Sequence, residues 1–227
     1  MKQAIKDLLR LLSFRLGRDD FDRFGRSHLI LGLLCTWVVG MGRWWDDSGA
    51  NVLQHIGLGS LMYVFVLALV LCLVIAPLNP RELSYRHVLT FVALTSPPAI
   101  LYAIPVEKFT SLSVAREINV WFLAAVASWR VALLFFYLKR YAGLPIFAII
   151  VAGLLPLSGI VTTLTVLNLE RAVFDIMGGL RETGTANDSA YAVLATLTFF
   201  SALLFVPLLI AYVIVIVVRS KRFMDED

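Results

Sequence analysis

Charge is scarce in this sequence. Asp, Glu, Lys and Arg make up 16% of its 227 residues, while hydrophobic residues make up 59%. A soluble domain carries about 25% charged and about 45–50% apolar residues. One soluble core of this size has no room for the excess, so an ordinary soluble domain is excluded and an integral membrane protein is expected. Cysteine is nearly missing: Cys35 and Cys72 both sit inside apolar runs, which excludes a disulfide framework and reads as small packing residues. The three histidines, His28, His55 and His87, fall near expected helix ends with no HExxH among them, so no metal triad and no cofactor is expected. A cleavable signal peptide is not expected either, because residues 1–26 are highly charged and no small-residue cleavage site follows. Nor is a lipidation motif found.

What is present is a series of apolar runs, at roughly 28–45, 56–78, 87–105, 118–138, 144–168 and 190–218. A spanning helix needs about 20 residues. The fold class expected is all-α: a polytopic transmembrane bundle of six spans, with an N-terminal amphipathic interfacial helix. The last run is long enough to tilt, to kink at Pro207 or to extend beyond the bilayer. The third is interrupted by Pro97 and Pro98, which break the hydrogen-bond ladder, so it reads as a kinked span or a re-entrant pair of half-helices, and a five-span chain is the rival.

Basic residues test the count. With both termini inside, the inner segments hold 14 (Lys2, Lys6, Arg10, Arg15, Arg18, Arg23, Arg26, Arg81, Arg86, Lys139, Arg140, Arg219, Lys221 and Arg222). The outer loops hold five: Arg43, Lys108, Arg116, Arg171 and Arg181. That asymmetry follows the positive-inside rule. It also explains the net charge of +4 without nucleic acid as a partner. The division expected is a cytoplasmic amphipathic helix and charged linker over 1–27, a six-span domain over 28–218 and a cytoplasmic tail over 219–227, in a bacterial inner membrane.

In "KQAIKDLLRLLSFRLGR", Ile5, Leu8, Leu9, Leu12 and Leu16 recur at helical spacing, with Lys6 and Arg10 on the other side. This pattern reads as a helix on the cytoplasmic leaflet, its cations near anionic lipid; a partner-docking helix is the alternative. Outside, Trp44 and Trp45 suit an aromatic belt. A short interfacial helix is expected to end at Gly178 and Gly179. Asn187-Asp188-Ser189 matches a glycosylation sequon but reads better as the N-cap of the last helix.

Sites of chemistry are few. Asp19, Asp20 and Asp22 in "RDDFDRFG" resemble a metal cluster. An EF-hand read from Asp20 places Phe24 and Leu31 at ligand positions, and neither can bind calcium; a paired-aspartate magnesium motif ends on Arg23. Capping charges among Arg18, Arg23 and Arg26 are the better reading. Ser158-Gly159 lacks the first glycine of a nucleophile elbow. Packing signals are plainer. Gly32, Thr36 and Gly40, then Ala68, Cys72 and Ala76, then Ala124, Ser128 and Ala132 repeat every four residues. Such faces let helix backbones approach closely, as internal seams or as oligomer contacts.

Arg130 is the one charge deep in a run, "AAVASWRVALLFFYLKR". It stands about 13 Å from Lys139 along a helix, and shares a face with Asn119 and Tyr137, nearly opposite the small residues. No Asp or Glu occurs in the central part of any run, which argues against a proton- or sodium-coupled transporter. The acceptors left for Arg130 are carbonyls at the helix breaks of Pro97, Pro98, Pro156 or Pro207, hydroxyls of Ser158, Thr162 or Thr165, a lipid headgroup or other anion, or a partner's carboxylate. An anion- or lipid-binding site of Arg130, Asn119 and Tyr137 is the functional reading.

From "SYRHVLTFVALTSPPAILYAIPVEKF" through "INVWFLAAVASWRVALLFFYLKRYAGLP" to "LLPLSG", the chain resembles the Yip1-type polytopic membrane family in layout. A proline-bearing span is followed by a Trp-containing span that ends in a basic turn. The resemblance covers about a third of the chain, without the short signature motifs of eukaryotic members, and carries over no functional residue. It implies a membrane scaffold or trafficking-type interaction protein rather than an enzyme. The function expected is therefore a membrane scaffold or complex subunit binding membrane lipids, a second copy of the chain or another membrane protein. A permease or channel for an anionic or neutral solute using Arg130 is second, and a lipid-modifying membrane enzyme third.

Overall fold

A computed structural model describes residues 1–42, 52–78, 83–167 and 188–224. Among them the chain is all-helical. In order come α1 (Lys2–Leu12), α2 (Arg18–Asp22), α3 (Arg26–Met41), α4 (Val52–His55), α5 (Leu58–Ile75), α6 (Tyr85–Leu94), a 3-10 segment (Pro97–Ala103), a 3-10 turn (Val106–Lys108), α7 (Leu112–Arg140), α8 (Ile146–Val166) and α9 (Asp188–Met224). Trp44, Trp45, Gly178, Gly179 and Asn187 lie outside the described residues.

Among the described residues, four helices are long and apolar enough to cross a membrane: Leu58–Ile75, Ser113–Arg140, Ile146–Val166 and Thr198–Arg219. α3 is apolar but shorter, at 16 residues. The third run forms no helix of membrane length. Thr95 closes α6 after 10 residues, its hydroxyl donating to the Val92 carbonyl at 2.7 Å, and Pro97 and Pro98 then open the 3-10 segment. By contrast, α8 and α9 continue through Pro156 and Pro207.

Short α6 is the centre of the bundle, buried at every residue from Val88 to Leu94. It packs between α3 and α5, and its Phe91 ring stacks on Tyr137 of α7 at 4.1 Å. The approach to α3 is close because Gly32 faces it: a Cβ there would stand 2.8 Å from the Ala93 Cβ. One turn on, Thr36 and Ser96 share a hydroxyl hydrogen bond of 2.8 Å. At Gly40, a Cβ would meet Ser60 of α5 at 2.8 Å. Gly32, Thr36 and Gly40 are all buried, so this stripe is an internal seam. In α5 the buried positions are Val64, Ala68, Leu71 and Ile75. Ala68 is therefore inside, Cys72 half-buried and Ala76 exposed.

The small stripe of α7 is placed the other way. Ala124, Ser128 and Ala132 are exposed, while Val126, Leu133, Leu134, Tyr137 and Leu138 are buried. The reason is volume: the central helix needs large rings and leucines to fill the space it leaves, and α7 turns its bulky face to meet it. Small residues serve instead where α8 comes close, at Gly153, whose Cβ would overlap the Phe135 ring.

Candidate functional site

The densest polar chemistry lies where α1 and α2 cap one end of the bundle. α1 buries Ala4, Asp7, Leu8 and Leu11 and rests on α3. Its buried side is thus rotated from the stripe the leucine spacing suggests, because Ile5 and Leu9 stay exposed. Asp7 is fully buried. Its carboxylate accepts from Gln3 at 2.9 Å, lies 3.7 Å from the Arg10 guanidinium and stands 3.1 Å from His28 Nε2. The His28 Nδ1 accepts from the Gly25 N–H at 3.2 Å. That bond leaves the Nε2 proton to be donated to Asp7, fixing the tautomer.

A second carboxylate holds α2 to α1. Asp20 accepts from the Gly17 N–H at 2.9 Å, pairs with Arg10 at 2.6 Å and pairs with Arg23. Burial pushes its carboxyl up, but the Gly17 hydrogen bond and the two guanidinium groups outweigh that and hold it below its ordinary value. These partners occupy Asp20, and no group of acidic, histidine and cysteine side chains suited to a metal occurs among the described residues.

Rings fill the space between cap and bundle. Phe24 stacks on both His28 and His87, and His87 stacks on Tyr141 at 4.2 Å. Tyr137 touches Phe21, Phe91 and Tyr141. The Nε2 of His87 and the hydroxyl of Tyr137 are buried without a hydrogen-bond partner among the described residues. His87 lies in the first turn of α6.

Arg130 sits apart from this cluster. It shares the inner sector of α7 with Val126, Leu133 and Tyr137 and is half-buried, as is Asn119. Its guanidinium carbon stands 5.9 Å from the Tyr63 ring centroid of α5, a cation–π contact worth about 0.5–2 kcal/mol. The expected trio does not close on one small ligand. Asn119 lies roughly 16 Å from Arg130 along the helix, and Tyr137 is buried in the ring cluster. The residues that sequence reasoning missed are Tyr63, Asp7 and the rings around His87. Asp7 and His28 are 21 positions apart and belong to no motif.

No known protein family, curated protein or solved structure matches this chain, so the Yip1-type resemblance rests on layout alone.

Proposed function

We propose that the chain is a membrane scaffold or complex subunit that binds lipid or protein partners rather than a catalyst. In this reading it crosses a bacterial inner membrane six times with both termini in the cytoplasm. α3 and the α6–3-10 unit supply the two crossings beyond the four membrane-length helices, and the N-terminal cap lies at the inner interface. The observation that carries the proposal is the open outer surface. Within Thr198–Arg219 only Val215 is buried, whereas α8 buries eight residues, and the Ala124, Ser128 and Ala132 stripe of α7 faces outward. Small residues presented outward suit close approach of another helix, either a second copy or another membrane protein. Arg130 gains less from one ring contact than a half-buried charge demands, which supports an anion as its further acceptor.

Native mass spectrometry in a mild detergent tests this. Subunits, partners or lipids retained on the full chain are expected; a bare monomer contradicts the proposal. A permease reading draws on Asn119 and Arg130, both half-buried on one side of α7. Anion flux in liposomes that disappears in a folded Arg130→Ala variant would establish that reading in place of this one.

A further inference from the structure

The helical wheel of α1 divides into three sectors rather than two. Ala4, Asp7, Leu8 and Leu11 face the bundle. Lys2, Gln3, Lys6 and Ser13 are exposed on the polar side, with Arg10 half-exposed. Between them runs a separate apolar sector of Ile5, Leu9 and Leu12, with Ile5 45% and Leu9 62% exposed. That sector continues past the end of the helix. Phe14 takes a left-handed backbone, φ 58°, a conformation that costs a bulky residue steric strain. The strained turn brings its ring onto Trp129 of α7, centroids 6.3 Å apart, and edge-on to Phe136. The Trp129 indole N–H in turn donates to the Leu12 carbonyl at 3.2 Å. Phe14 and Trp129 remain 39% and 45% exposed. Ile5, Leu9, Phe14 and Trp129 therefore make one apolar ledge running from α1 onto a helix long and apolar enough to cross a membrane. Lysines edge it on one side, and Arg15 follows directly at its end.

The geometry points to a docked lipid wedge: α1 is fixed to the bundle and uses this ledge to hold anionic phospholipid of the leaflet it enters. A helix in the interfacial plane seats its apolar face about 5–10 Å into the headgroup and acyl boundary. Lys2, Lys6 and Arg15 supply positive charge at the phosphates. The inference rests on the membrane reading proposed above, and its test separates the two.

The full chain is reconstituted in phosphatidylcholine vesicles containing a minor share of brominated phosphatidylglycerol or, separately, brominated phosphatidylcholine. Two single-tryptophan variants report, one keeping Trp129 and one keeping Trp121, which is 68% exposed and lies about two turns earlier in α7. Trp129 is expected to be quenched more strongly by the anionic lipid, by about fivefold in local occupancy for each lysine involved. Lys2→Gln, Lys6→Gln and Arg15→Gln together are expected to abolish that preference while leaving the quenching by phosphatidylcholine unchanged. Equal quenching of Trp129 by the two lipids, or a preference that survives the triple substitution, overturns the lipid selectivity. Quenching of Trp121 without quenching of Trp129 overturns the wedge and leaves the membrane reading standing. Quenching of neither overturns both. Inorganic phosphate in the buffer is expected not to compete; competition would reassign the cations to a free anion.

Discussion

Asp7 is a carboxylate cut off from water, and its partners decide what it contributes. Replacing it by alanine strands the His28 N–H inside the cap. An unsatisfied buried donor costs about 1–3 kcal/mol, so Asp7→Ala is expected to lower the unfolding midpoint in detergent clearly more than Asp7→Asn, whose amide oxygen still accepts from His28. Equal loss in the two variants would remove the hydrogen bond from the account. Neither this carboxylate nor the ring cluster around His87 is visible in sequence. His28 and His87 read as histidines at helix ends, and only tertiary packing supplies the carboxylate for one and the stacked rings for the other.

Individual elements differ in how much the sequence discloses. The Gly32, Thr36 and Gly40 repeat is legible because its spacing matches one helical face and the structure uses that face against α6 and α5. The same spacing at Ala124, Ser128 and Ala132 identifies a face without saying which neighbour has the space for it, and in the structure that face is exposed. Gly32→Ala is expected to cost about 1–3 kcal/mol by pushing α3 from α6, and Ala93→Gly to restore part of it in a double-mutant cycle. Strict additivity would contradict the contact. For α1, the amphipathic period is legible but its rotation is not, since leucines line two sectors. Leu11→Ala, at a fully buried position, is expected to cost about 2–5 kcal/mol. Leu9→Ala is expected to change stability in detergent by less than about 0.5 kcal/mol. The reverse ranking would mean that α1 docks by its other apolar side.

For the whole molecule, composition alone points to the membrane, and the apolar runs locate the long helices, although α7 begins six residues before its run and α9 ends six residues after its run. The proline pair marks where α6 stops. What the runs do not reveal is that this short helix becomes the core, wrapped by α3, α5 and the rings of α7, with α1 and α2 capping its end. Charge asymmetry sets the proposed orientation, an even number of crossings with the cap and the C-terminal end together. Site-directed labelling tests that arrangement most directly. In a chain with Cys35 and Cys72 replaced, single cysteines at Ser13, Ser48 and Ser220 are probed in oriented membranes with an impermeant maleimide. Ser13 and Ser220 are expected to label from the same side and Ser48 from the opposite one; labelling of Ser13 and Ser220 from opposite sides would contradict the account.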